Sequence, residues 1–157
     1  MNSRFRDGFT LVEVLIVVLI LGLLAAVVII SVNNASTEAR QNSFVSCLRT
    51  FVSAAEYYRF KTGEYLESAD PGQIPAGWDE YIEAKKWVKK TPIGGYWQTA
   101  DQTASGFTSC IGVSFDGSDM TRDAGFMEEI DAKIDDGNLS TGIFRQNGNA
   151  FYYILAL

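Results

Sequence analysis

The chain is 157 residues long, 47% hydrophobic, with a formal net charge of −6. That is enough for one domain with a real core, and the wrong sign for general nucleic-acid binding, which needs clustered lysine and arginine. Histidine is absent and the two cysteines, Cys47 and Cys110, lack zinc spacing, so the commonest general base and metal ligand are missing and no enzyme is expected.

Residues 1–8 are short and polar, with Arg4 and Arg6 expected on the cytoplasmic side of a membrane. Residues 11–30 are apolar except for Glu13, and a run of about 20 such residues matches a bilayer span. A secretory signal has a shorter apolar core, roughly 7–15 residues, with a small-residue cleavage site behind it; no such site follows here. A carboxylate within an apolar span costs on the order of 3 kcal/mol, so Glu13 needs a partner. Cleavage between Gly8 and Phe9 supplies one. The freed α-amine titrates near ~8 and is cationic at neutral pH, and four residues of helix set it about 6 Å along the axis from Glu13. The carboxylate then reaches its own chain's terminus, or that of a neighbour shifted along a fibre.

The hexapeptide Gly8-Phe9-Thr10-Leu11-Val12-Glu13 and the apolar run through Ala26 resemble the processing and assembly signature of type IV pilins and type II secretion pseudopilins. The resemblance implies cleavage after Gly8 by a prepilin peptidase, N-methylation of Phe9, and docking of Glu13 on a neighbouring subunit's terminus. It implies as partners homologous pilin or pseudopilin subunits, the prepilin peptidase, an inner-membrane assembly platform and the membrane itself, with no nucleic acid. Its fold is α+β: a long N-terminal helix, membrane-spanning in its first half, against a small antiparallel sheet with short accessory helices. Two positions depart from the family pattern. Asp7 stands before Gly8 where Lys or Arg is frequent, and Val28, Ile29 and Ile30 stand where many members carry a proline.

The segments expected are a leader at 1–8, a membrane and assembly half-helix at 9–30, an amphipathic half-helix at 31–62 and a head at 63–157. In the second half-helix, Phe44, Cys47, Leu48, Phe51, Val52, Ala54, Ala55 and Tyr58 share one broad side, opposite Asn42, Ser46, Arg49, Ser53 and Glu56. Gly63 is the natural stop, and Gly63-Glu64-Tyr65 resembles the Gly-x-Tyr turn that closes the pseudopilin helix.

In the head, Pro71, Gly72, Pro75 and Gly77 mark a loop. Residues 79–90 read as a helix with acids first and Lys85, Lys86, Lys89 and Lys90 last, suiting the helix dipole. Alternation predicts a strand over 107–115 with Phe107, Ile111, Val113 and Phe115 on one face. A further helix is expected over 122–136, with Phe126, Met127, Ile130 and Ile134 inward. Asn147-Gly148 predicts a two-residue hairpin turn that sets Phe144 opposite Phe151, and residues 151–157 read as a central strand on the long helix. Trp78, Trp87 and Trp97 are expected as core or loop anchors.

Cys47 and Cys110 are candidates for a disulfide, since both fall outside the cytoplasm in this topology. Against this, Cys110 has the opposite strand parity from Ile111 and Val113 and should face away from the helix that carries Cys47. Asp131, Asp135 and Asp136, with Asp116 and Asp119 near them, raise calcium, which some pseudopilins hold through a loop of the head. The spacing is not that of an EF-hand, and carboxylates along one helix are expected to point along its surface without converging. A solvated acidic face, with no cofactor, is the expectation.

These readings together give a non-catalytic filament subunit serving type II secretion. It would begin as a single-pass precursor in a bacterial inner membrane, head outside the cytoplasm, and end in a periplasmic or extracellular filament. The alternative is a membrane-anchored minor pilin acting as an adhesin or DNA-uptake module through the tryptophans and the lysine cluster.

Overall fold

The computed structural model describes residues 10–115 and 123–156, and all of their side chains except those of 27–31, 34, 102 and 103. The elements run α1 (Leu11–Thr62), α2 (Ala84–Trp87), β1 (Tyr96–Asp101), α3 (Gln102–Ser105), β2 (Ser109–Ser114), α4 (Ala124–Ile134), β3 (Phe144–Asn147) and β4 (Ala150–Ala156). The fold is α+β, as expected. The chain divides into two units, Met1–Ala39 and Arg40–Leu157.

In the first unit, every described side chain of residues 11–26 is exposed, including Leu11, Val14, Leu15, Val18, Leu21 and Leu24. Among the described residues, no helix is long and apolar enough to cross a membrane; the expected span of 9–30 runs past both ends of the stretch with described side chains.

The second unit holds the core. From Gln41 onward α1 buries Phe44, Val45, Leu48, Phe51, Val52 and Ala55, with Cys47, Ala54 and Tyr58 half-buried. This is the expected stripe, widened by Gln41 and Val45. Its other side, Asn42, Ser46, Arg49, Ser53 and Glu56, is exposed. The helix stops at Gly63, whose N–H bonds the Arg59 carbonyl at 2.8 Å and whose φ of +80° favours glycine. Arg59 then lies 4.1 Å over the Tyr65 ring.

Against this helix lies a four-stranded antiparallel sheet in the order β1-β2-β4-β3. The C-terminal strand is central, as its apolar sequence predicts. Phe44 stacks on Trp97 at 5.1 Å, and Phe51 meets Trp87 and Trp97 edge-on at 4.9 and 5.0 Å. Trp78 packs edge-on to Trp87 at 4.7 Å. Each aromatic pair adds about 0.5–1.5 kcal/mol beyond its buried area.

Several elements differ from expectation. The helix expected over 79–90 is reduced to α2, flanked by turns such as Tyr81 N–H to the Trp78 carbonyl. Trp78 and Trp87 are about two and a half helical turns apart in sequence, so an unbroken helix would point them in opposite directions. Both are buried in one cluster, and the helix gives way. Phe107 precedes β2 rather than belonging to it, and packs with Ala100, Cys110, Ala150 and Tyr152 instead of with Ile111. A register irregularity between Ser109 and Cys110 breaks the parity there. The hairpin pairs Asn147 with Ala150 and Phe144 with Tyr153, so the turn is Gly148-Asn149. Gly148 has φ +59° and, among the described residues, no non-glycine residue has positive φ, which excludes the Asn147-Gly148 type I′ turn and fits a II′ turn with glycine first. The register moves by two, so every face is kept, and Phe144 still stacks on Phe151 at 6.4 Å. The helix expected from Arg122 begins among the described residues at Ala124, capped by Asp123, whose carboxylate accepts from the Phe126 N–H at 2.8 Å. Strand β1 and helix α3 had no sequence expectation.

Candidate functional site

The first candidate is the N-terminus of α1. Gly8 and Phe9, the expected cleavage and methylation positions, lie outside the described residues. Glu13 is described, and its Oε2 accepts from both the Thr10 N–H and the Thr10 hydroxyl at 2.8 Å, while its own N–H donates to Thr10 Oγ1 at 3.3 Å. This is a reciprocal capping box, with the helix-capping hydroxyl at Thr10 and the acid three residues on. The carboxylate is thereby fixed on Thr10 at the positive end of the helix dipole. The Thr-x-x-Glu spacing was readable in the sequence and gives Glu13 a local role besides the one expected of it.

Cys47 and Cys110 are both free. Cys47 is half-buried against the main core. Cys110 lies in the smaller cluster on the other face of the sheet, its thiol against the Ala100 carbonyl and Ser105 Oγ at 3.3 Å. Burial pushes that thiol's pKa up to about 11, so it is a poor nucleophile.

Trp78, Trp87 and Trp97 are all core, exposed by 1% or less, and present no ligand platform. The lysines are exposed. Lys86 pairs with Glu83 at 2.7 Å, both side chains open to solvent, and Lys90 lies 5.6 Å from the Tyr96 ring. An adhesin surface built on the tryptophans is therefore excluded by their packing.

The acidic group departs most from expectation. One carboxylate oxygen from each of Asp131, Asp135 and Asp136 lies within 4.8 Å of the other two, so these groups converge where a solvated helix face was expected. The reason is local. Helix α4 ends at Ile134, and Asp135 takes φ −146° and ψ −115°, which turns the chain back over the last helical turn. Asp135 then accepts from the Ile143 N–H, and Asp136 accepts from the Asn138 N–H at 2.9 Å and the Thr141 hydroxyl at 2.7 Å. Asp131 is fully buried, and neither of its carboxylate oxygens has a hydrogen-bond partner. Its burial and the charges of Asp136 and Asp135 push its pKa up to about 6. Three hard oxygen donors, one of them buried and unpartnered, fit a calcium-class ion. Asp116 and Asp119 lie outside the described residues.

The prokaryotic N-terminal methylation motif matches residues 3–29. Over 65 residues the chain is 34% identical to the type II secretion system core protein G of Aeromonas hydrophila, an alignment covering 41% of this chain and 46% of that protein. The chain thus spans about half the length of the curated relative it matches. No solved structure matches it. The methylation motif at its start, the capping box inside that motif and a helix-on-sheet head behind it together make the chain similar to the type IV pilin-like proteins, pilins and type II secretion pseudopilins.

Proposed function

We propose that this pilin-like subunit is inserted in a bacterial inner membrane, cut between Gly8 and Phe9 by a prepilin peptidase, N-methylated at Phe9, and drawn into a filament of a type II secretion system. The observation that supports this best is the bare apolar surface of residues 11–26. A helix apolar on all sides is stable only when lipid or other protein covers it. Lipid would cover it in the precursor and neighbouring helices in the fibre, with the inner-membrane assembly platform moving it from one to the other. Glu13, already anchored on Thr10, then meets the cationic terminus of an adjacent subunit.

Glu13 has two roles to separate, and two substitutions separate them. Glutamine keeps the capping geometry and removes the charge, whereas alanine removes both. The expectation is that both Glu13→Gln and Glu13→Ala are still cleaved before Phe9 and that both lower filament yield at least tenfold. Full yield from Glu13→Gln would reduce the residue to a helix cap. Normal yield from Glu13→Ala would overturn the assembly role altogether.

A further inference from the structure

We propose that two copies of this chain dock side by side, the lysine-bearing flank of one head against the acidic flank of the next. The proposal rests on the filament reading and names the surfaces through which neighbouring heads meet.

The two flanks are defined by α1 from Gln41 onward. Gln41 and Arg49 reach α4, the Gln41 amide donating to Glu129 at 2.8 Å and the Arg49 guanidinium to the Lys133 carbonyl at 3.0 Å. Tyr58 reaches the segment that enters α2, its ring edge-on to Tyr81 at 5.3 Å. Arg49 and Tyr58 are nine residues apart, about two and a half turns of helix, so they leave α1 in opposite directions. Helix α4 and residues 81–90 therefore stand on opposite flanks of one helix.

Their charges are opposite too. On one flank Lys85, Lys86, Lys89 and Lys90 are exposed around a single acid, Glu83, and Lys86 takes that acid at 2.7 Å. On the other flank Asp123, Glu128, Glu129, Asp135 and Asp136 are exposed. The one base of α4, Lys133, is turned onto Gln41 and Asn42 at 3.0 and 2.8 Å. Among the described residues Lys85, Lys89 and Glu128 form no ion pair within the chain.

The composition fits a protein partner better than a lipid surface. Val88, 47% exposed, is an apolar side chain set among the lysines, and Ala124, Gly125 and Ala132 leave low, open positions beside the acids. An apolar centre with a charged rim is the make-up of a protein interface. Because the complementary faces sit on opposite flanks, the contact is heterologous: each copy uses one flank and offers the other onward. Repeated without closing, such a contact builds an open helical filament. Its charges fix register and reject wrong orientations more than they add affinity.

The test is charge reversal in the full-length chain, in cells that assemble it, read as filament yield. Parent filaments are also treated with a carbodiimide, which joins lysine amines to carboxylates in direct contact. Crosslinked dimers are expected, linking residues 85–90 of one copy to 123–136 of another. Lys85→Glu with Lys89→Glu, and separately Glu128→Lys with Ala132→Lys, are each expected to lower yield at least tenfold. All four positions are exposed, so the unfolding midpoints should stay within about 3 °C of the parent. The four substitutions together are expected to restore at least half of the parent yield. Parent filaments without that crosslink, full yield from either reversed flank, or no recovery in the combined variant would overturn the docking surface and leave the filament reading standing. A reversed lysine pair that assembles normally but no longer binds phosphatidylglycerol vesicles would assign the lysines to lipid and overturn it as well. No filament from the parent chain would sink the filament reading and this surface with it.

Discussion

Two acidic residues, Glu13 and Asp131, are each placed where a carboxylate is costly, and their solutions differ. Glu13 finds donors in its own helix terminus, a pairing that the Thr10-x-x-Glu13 spacing announces. Asp131 finds none, and nothing in its sequence neighbourhood distinguishes it from Asp135 or Asp136. Its burial depends on where the chain turns after Ile134, a tertiary outcome that helical periodicity does not report. It has a measurable consequence without any cation. Asp131 is raised from an ordinary value of 3.8 to about 6, so between these values the folded chain binds a proton that the unfolded chain has lost. The stability this contributes is complete below about pH 4 and disappears as pH rises through about 6. The groups acting on it are Asp135 and Asp136. Around them, Arg49 of α1 sits on the Lys133 carbonyl at 3.0 Å, and Lys133 itself on Gln41 and Asn42; the Tyr153 hydroxyl, raised first by burial, also feels Glu56, Asp135 and Arg49. In chelator, the denaturation midpoint of the parent chain is expected to fall from pH 4 to pH 7 relative to Asp131→Asn. Parallel pH profiles would contradict the burial of that carboxylate.

At the scale of elements, α1 from Gln41 and the β4 strand were legible because long apolar periodicities survive tertiary packing. The failures are at short range. A helix over 79–90 satisfies propensity and dipole but cannot aim Trp78 and Trp87 at one core. An Asn-Gly pair favours one hairpin turn, while the β3–β4 pairing selects its neighbour Gly148-Asn149. Strand β1 was missed because its six residues mix polar and apolar types too briefly to stand out, although Trp97, Thr99 and Ala100 are all buried. The turn assignment is open to a direct check. Gly148→Ala forces a side chain into positive φ and is expected to cost about 1–2 kcal/mol, whereas Asn147→Ala removes the side-chain hydrogen bond to the Ser105 carbonyl at 2.9 Å and should cost about 0.5–1.5 kcal/mol. Urea denaturation of both variants checks this, and a Gly148→Ala chain as stable as the parent would contradict the positive φ assigned to that turn.

For the molecule as a whole, two units place opposite demands on their surroundings. Arg40–Leu157 buries its aromatic core within itself, while residues 11–26 bury nothing. The methylation motif was legible from the first thirty residues, where chemistry is written consecutively; the convergence of Asp131, Asp135 and Asp136 was not, because they meet only through the turn after α4. The account depends on the apolar segment being processed and then covered by its own kind. Intact mass of the protein recovered from its native membrane or filament fraction tests this most directly. The predicted mass is that of a chain beginning at Phe9 and carrying one added methyl group; a chain still beginning at Met1, its amine never freed, would contradict the account.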